Sequence, residues 1–302
     1  MLGGLVVLAI AAIALWQWAV ANSSAATLNT VDAIFPRSHA VKLATSAQYG
    51  SVQAQQLELW VPEGEPPATG WPLVAFIHGG SWQNGSPQDY RFIARTLGDH
   101  GYATALIGYR LLPEGRFPIM LEDSAAAVAW LHTHAGDFQA DGRQFALIGH
   151  SAGAYNSLMV GLDPEWLARV KVPQSVIQGV VSMAGPADFY PFTSQSTKAA
   201  FGRVADPQIT QPIHFARGTA MPILLLHGTG DESVKPRNSR NLAKAIKARG
   251  GLVAEQEFAG MTHSGIIMAL AQPFAQTDDV LKPILTFLTA ARAKPIAAQD
   301  GS

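Results

Sequence analysis

Five short, continuous runs of apolar residues recur along this chain, and segments with helical periodicity separate them. The runs cover residues 73–77, 103–107, 145–148, 177–183 and 223–226. The helical segments cover residues 88–100, 120–134, 152–162, 236–248 and 277–291. Runs of this length are typical of strands buried on both faces of a parallel sheet. Their alternation with helices predicts an α/β fold, in which helices cover both faces of a mostly parallel central sheet.

Two more segments alternate polar and apolar residues and extend the predicted sheet. They are residues 52–61 and 253–258, and the first is predicted to be an edge strand with one face in water. In sheets of this kind, functional sites lie at the carboxyl ends of the strands. The loops that follow the strands are therefore where we expect the functional residues.

Composition removes several classes of function. Charged residues make up 14% of the 302 residues and the net charge is −1, so the sequence predicts no nucleic-acid partner. The chain has no cysteine, which excludes disulfides, a thiol nucleophile and a Cys-ligated metal. His132 and His134 point to different faces of their predicted helix, so no metal site is expected there. The sequence predicts no other cofactor either. The length favours one large α/β domain over two. This domain, the predicted catalytic domain, is expected to span residues 47–292.

The segment before that domain is unusually apolar. Residues 2–21 contain one strongly polar side chain, Gln17, and end in Ala-Val-Ala before polar Asn22. A small-x-small ending is typical of a signal peptide, whereas the missing cationic stretch and the length also suit a membrane anchor. A buried N-terminal helix is the third interpretation. The first two predict an exported chain, periplasmic or secreted, that contacts a membrane only through this segment. Residues 22–46 are predicted to be a linker and residues 293–302 a flexible tail.

A candidate nucleophile follows the apolar run 145–148. There the sequence is Gly149-His-Ser151-Ala-Gly153, and a helical segment comes next. A serine hydroxyl is a weak nucleophile, so it must be held out of the sheet on a sharp, strained turn. Glycines on both sides permit such a turn. The alternative is an ordinary glycine-rich turn between a strand and a helix.

The loop after the run 73–77 is a candidate oxyanion hole. Residues 78–82 are His-Gly-Gly-Ser-Trp, and two glycines let backbone N–H groups approach a developing negative charge closely. The predicted donors are the N–H groups of Gly80, Ser81 and Ala152, with Gly79 as a further candidate. His78 is predicted to brace the loop rather than to act as a base.

A candidate acid and base follow the last two strands of the sheet. Asp231 comes after the run 223–226, and His263 comes after residues 253–258. A carboxylate there can accept a hydrogen bond from a histidine, fix its tautomer and stabilise the imidazolium. Glu232 is the competing acid, and in the alternative interpretation Asp231 only caps the next helix.

Taken together, residues 50–291 resemble α/β-hydrolases of the carboxylesterase and hormone-sensitive-lipase-like branch. The order Ser151, Asp231, His263 matches that fold. Further matching residues are Tyr109-Arg110-Leu111, Pro113-Glu114, Phe117-Pro118 and Asp123. The resemblance implies an α/β-hydrolase fold with a short cap and a serine esterase that acts on small-molecule carboxylic esters without a cofactor.

One departure leaves the cleaved bond open. Many lipase-like members have a third glycine at this point of the loop. This chain has Ser81-Trp82 there instead, and in this it is similar to arylformamidase-like and feruloyl-esterase-like relatives. An arylformamidase-like amide hydrolase is therefore the alternative, and a non-catalytic binding protein on the same fold is a third interpretation.

The predicted cap, residues 186–221, is short and rich in aromatic residues. Phe189 from the cap, with Trp82 and Tyr155, is predicted to line a substrate pocket, and the alternative is that these rings form the core of the cap. A cap this short favours a small, soluble acyl donor. The sequence does not predict an oligomeric state.

Overall fold

The computed structural model describes residues 25–218, 221–275 and 279–293. The strands are β1 Val41–Gln48, β2 Gln56–Pro62, β3 Trp71–Ile77, β4 Ala103–Ile107, β5 Ala140–His150, β6 Ile177–Met183, β7 Ile223–Gly228 and β8 Val253–Phe258. The helices are α1 Ala25–Asp32, α2 Arg91–Gly98, α3 Ile119–His134, α4 Ala152–Leu162, α5 Glu165–Arg169, α6 Gln195–Phe201, α7 Arg237–Ala248, α8 His263–Met268 and α9 Leu281–Arg292.

The eight strands of the described residues form one sheet in the order β1-β2-β4-β3-β5-β6-β7-β8. The pairs β1–β2 and β2–β4 are antiparallel, and the remaining pairs are parallel. Alternate residues of β3 enter opposite cores: Ala75 packs with α3, α4 and α7, whereas Phe76 packs with α2, α8 and α9. The predicted sheet, mostly parallel and covered by helices on both faces, is therefore confirmed.

The edge of the sheet differs from the prediction. The strand predicted at residues 52–61 is β2, which begins at Gln56 and lies between β1 and β4. Five of its seven residues are buried, because both neighbours and both helical layers cover it. The edge strand at this side is β1, whose residues are half-buried or exposed.

The prediction of a linker over residues 22–46 is wrong for the parts that the structure places in α1 and β1. Asp32, at the end of α1, is fully buried. It accepts hydrogen bonds from Arg37, from Nε of Arg95 at 2.6 Å and from the backbone N–H of Gln272 at 2.8 Å. Two of these partners lie far along the chain, so local composition carries no sign of the attachment. Residues 25–46 belong to the folded domain.

Three expectations concern residues outside the described ranges. The apolar segment 2–21 lies there, as do residues 294–302 of the predicted tail. The helix predicted at 277–291 is observed as α9 from Leu281, with residues 276–278 outside the description. Of the helices in the described ranges, none combines the length and the apolar character needed to cross a bilayer.

Candidate active site

Ser151 lies on the turn between β5 and α4 and has a φ angle of +54°. A Cβ on Gly149 would lie 2.3 Å from the carbonyl oxygen of Gly153. A Cβ on Gly153 would lie 2.0 Å from the carbonyl oxygen of Ile77 on the neighbouring strand. Both positions therefore require glycine, and the predicted sharp turn is present. It projects Ser151 at the carboxyl end of the sheet.

His263 and Asp231 lie beside Ser151. His263 begins α8, where the Thr262 hydroxyl accepts a hydrogen bond from the Gly265 N–H and caps the helix. Its Nε2 is 2.9 Å from Oγ of Ser151, and its Nδ1 is 2.7 Å from Oδ2 of Asp231. The three side chains form one hydrogen-bonded chain. The competing acid, Glu232, is exposed.

The carboxylate of Asp231 is buried and held on both oxygens. Oδ1 accepts the backbone N–H groups of Ser233 at 2.9 Å and Val234 at 2.8 Å. Burial raises the pKa of Asp231, but hydrogen bonds from His227 and His263 outweigh burial and hold the pKa below its ordinary value of 3.8. The carboxylate is therefore ionised at neutral pH and can stabilise a positive charge on His263.

His227 is a supporting residue that the sequence analysis missed. Its fully buried ring lies at the end of β7, where Nε2 is 2.8 Å from the carbonyl oxygen of Val234 and 3.3 Å from Oδ2 of Asp231. Its Nδ1 is 2.7 Å from Oγ of Ser239. The spacing of four residues before Asp231 is the one signal in the sequence, and it does not reveal that both side chains turn toward each other.

The loop after β3 lies directly against the nucleophile. Gly80, Ser81 and Trp82 all have positive φ, at +118°, +56° and +59°, and the N–H groups of residues 83 and 84 close the turn on the carbonyl oxygen of Gly80. A Cβ on Gly79 would lie 3.2 Å from Cβ of Ser151. Within the described part of the chain, the N–H groups of Gly80, Ser81 and Ala152 donate no hydrogen bond to another backbone group. These N–H groups can bind an oxygen atom of a ligand.

His78 supports this loop from behind. Its Nδ1 is 2.7 Å from the carbonyl oxygen of Gly79, and its ring stacks against Tyr109 at 4.6 Å and Tyr90 at 5.8 Å between centroids. The Tyr109 hydroxyl donates to the backbone oxygen of His78 at 3.0 Å. Burial lowers the pKa of His78 to about 4. The predicted bracing role is confirmed by these contacts.

Two cavities meet at Ser151 and His263. The large cavity, about 600 Å³, is lined in part by Trp82 and Phe189, as predicted. The small cavity, about 210 Å³, lies beside α1 and α8. Its lining includes Ala25, Leu28, Tyr90, Phe92, Ile267 and Met268.

Tyr155, the third predicted pocket residue, does not line the large cavity. It is fully buried behind the pocket wall, edge-on to Trp82 at 5.4 Å and to Phe189 at 5.8 Å between ring centroids. It lies on α4, which faces the sheet, so its ring packs under the wall. Trp82 and Phe189 thus line the large cavity, whereas Tyr155 and Phe201 are fully buried. That the cavity binds a substrate stays a prediction.

Among the described residues, no group of three or more His, Asp or Glu side chains is placed to hold a metal ion. His132 and His134 make separate contacts, with the carbonyl oxygen of Gly142 at 2.9 Å and with Asp137 at 3.7 Å.

A nucleophile turn after the fifth strand, with an acid and a histidine after the next-to-last and last strands, defines an α/β-hydrolase. The chain belongs to the BD-FAE family, whose model matches residues 57–246.

The chain is also similar to individual known proteins. Esterase LipC of Mycobacterium tuberculosis is 28% identical over 221 residues, which cover 66% of this chain and 54% of LipC. Kynurenine formamidase of Danio rerio is 25% identical over 246 residues, covering 78% and 80%. The crystal structure of esterase B from Lactobacillus Rhamnosis (HN001) matches with a TM-score of 0.72 at 19% identity, covering 97% and 96%. The chain spans about half the length of several curated relatives that it matches.

Proposed function

We propose that this chain is a serine hydrolase that cleaves small carboxylic esters. The observation that carries the proposal is the hydrogen-bonded chain from Ser151 through His263 to Asp231. Esterase LipC, a relative by sequence, supports an ester as the substrate. The reaction requires no cofactor, because the side chains supply the nucleophile, the base and the acid.

In the proposed mechanism, Oγ of Ser151 attacks the carbonyl carbon of the ester while Nε2 of His263 takes the hydroxyl proton. The N–H groups of Gly80, Ser81 and Ala152, in a loop that Gly79 packs against Ser151, stabilise the oxyanion of the tetrahedral intermediate. His263 then returns the proton to the leaving alcohol, and an acyl-enzyme remains. Water attacks that acyl group by the same route and releases the acid.

Replacement of Ser151 tests the proposal. Ser151→Ala should lower kcat by at least about 10⁴-fold, because the acyl-enzyme can no longer form. A fluorophosphonate should also label Ser151 of the wild type, which mass spectrometry detects. Ser175→Ala, at an exposed serine, is the matched control and should retain wild-type activity. A Ser151→Ala protein with near wild-type esterase activity would refute the assignment.

Amide hydrolysis is the second candidate function. Kynurenine formamidase from Danio rerio matches four-fifths of its length to this chain, and the loop carries Ser81-Trp82 in place of a third glycine. Comparing kcat/KM for short 4-nitrophenyl esters and N-formyl aryl amides separates the two functions. Absence of both activities, with no fluorophosphonate adduct on Ser151, would favour the third interpretation, a non-catalytic binding protein.

We also propose that the chain is exported, into a periplasm or out of the cell. The support is the apolar segment 2–21 with its small-x-small ending before Asn22. N-terminal sequencing of the protein from the producing cell tests this: a start at Asn22 indicates a cleaved signal peptide, and an intact segment in the membrane fraction indicates an anchor. Intact protein in the cytosolic fraction would contradict export.

A further inference from the structure

The large cavity beside Ser151 has one sign of charge on its wall. Two basic side chains line it, Lys235 and Arg237, and no Asp or Glu side chain is among its described lining residues. Both follow the Asp231 loop, at the start of α7. The same cavity contacts Ser151 and His263, so Ser151 and the two cations line one shared cavity.

Neither cation is neutralised within the described part of the chain. The ion pairs among the described residues involve neither Lys235 nor Arg237. Neither Asp188 nor Glu232 is among the described residues that line the cavity, and the Asp188 carboxylate accepts a hydrogen bond from Nδ2 of Asn241 at 2.6 Å.

The small cavity, which also reaches Ser151, has a different character. Leu28, Ile267 and Met268 give it an apolar wall, and none of its described lining residues is Lys or Arg. An ester bound at Ser151 has two halves, one on each side of the scissile bond. Because one cavity has basic lining residues and the other an apolar wall, the two cavities favour ester halves of different polarity.

Resting on the proposed function, we infer that the preferred substrates are esters that carry an anionic group, such as a carboxylate, on the half bound in the large cavity. Lys235 and Arg237 would pair with that group, while the small cavity takes a short apolar group. The two cations act on binding and do not take part in bond cleavage.

Matched ester pairs test this inference on both sides of the scissile bond. The acyl pair is 4-nitrophenyl hexanoate and the 4-nitrophenyl monoester of adipic acid. The alcohol pair is 4-tolyl acetate and 4-(carboxymethyl)phenyl acetate. The readout is the ratio of kcat/KM for the anionic ester to kcat/KM for its neutral partner, and the pair with the higher ratio shows which half occupies the large cavity.

In the Lys235→Gln/Arg237→Gln double variant, this ratio should fall by about three- to tenfold for one pair, as expected for two exposed ion pairs. About 0.5 M sodium chloride should lower the wild-type ratio and leave that of the variant unchanged, because salt screens exposed charges. Lys198→Gln, at an exposed lysine of α6 that does not line the cavity, should keep the wild-type ratio.

A double variant with the wild-type ratio for both pairs would overturn the inference. That outcome differs from failure of the proposed function, in which no ester is hydrolysed and Ser151 is not labelled by a fluorophosphonate. Because both side chains are exposed, the double variant should fold as the wild type does, and circular dichroism checks this.

Discussion

The turn at Ser151 depends on two neighbouring glycines as much as on the serine. Its φ of +54° is costly for a residue with a side chain, and the surrounding structure must impose it. Gly149 and Gly153 allow this, since each backbone comes too close to its neighbours for a Cβ. The nucleophile is thus positioned by the close contact of β3, β5 and α4.

Replacing one of these glycines should show how tight the contact is. Gly153→Ala places a methyl group 2.0 Å from the backbone oxygen of Ile77, so β3 or α4 must move. We expect a loss of about 3 kcal/mol in the free energy of unfolding, measured with urea, and loss of esterase activity. Gly136→Ala is the control, because a Cβ there has open space. Equal stability of the two variants would contradict this account.

The acid of the site can be identified by paired substitutions of adjacent residues. Asp231→Asn removes the acceptor for the Nδ1–H of His263 and should lower kcat by about 10⁴-fold, by analogy with serine proteases. Glu232→Gln, at the exposed neighbour, should leave kcat within about twofold. If the Glu232 variant is the impaired one, the acid has been assigned to the wrong residue.

The sequence predicted Ser151, Asp231 and His263 because each follows a strand, in the order typical of the fold. It did not predict His227 or the place of Tyr155. Both depend on where a side chain points once β7 or α4 is packed, and neither periodicity nor spacing contains that information.

The elements that the sequence did not predict include α1 and β1, besides the short helices α5, α6 and α8. In α1 only Leu28 and Asp32 are buried, so the helix shows no apolar stripe. In β1 no residue is fully buried, since the strand covers only one side of the sheet edge. Apolar patterns locate elements that are buried on both faces, and these two elements are held by polar contacts and by an edge.

The attachment of α1 can be tested at its buried carboxylate. Asp32→Asn removes the charged partner of Arg95 and leaves Arg37 only its contact with Asp99 at 3.5 Å, although both arginines are mostly buried. We expect a loss of about 3 kcal/mol in the free energy of unfolding and faster proteolysis between α1 and β1. Asp137→Asn, at a side chain 70% exposed, should unfold like the wild type. Unchanged proteolysis in the Asp32 variant would show that α1 is held by other contacts.

For the whole molecule, two buried histidines predict sensitivity to acid. Burial lowers the pKa of His78 to about 4, and burial together with nearby His263 lowers that of His150 to about 3. In the unfolded chain the pKa of each of these histidines is about 6.5. Unfolding near pH 5 is therefore accompanied by the uptake of about two protons. The stability that the neutral rings provide is complete above pH 6.5 and is lost as the pH falls toward 4.

The free energy of unfolding should therefore fall by about 2.5 kcal/mol per pH unit near pH 5, as urea titrations at several pH values would measure. His150→Gln removes one of the two protons and should roughly halve this slope. His100→Gln, at an exposed histidine, should leave the slope as it is. A wild-type stability independent of pH between 4.5 and 6 would contradict the prediction.

The position of α1 also limits the distance between the cavity at Ser151 and the apolar segment of residues 2–21. Ala25 lines the small cavity beside Ser151, and only residues 22–24 separate it from Ala21. Four extended residue steps span at most about 14 Å. A chain that kept residues 2–21 in a bilayer would therefore hold Ser151 close to the lipid headgroups, where esters that partition into the membrane are concentrated. Cleavage at Asn22 would remove that restriction and let the same cavity work in free solution.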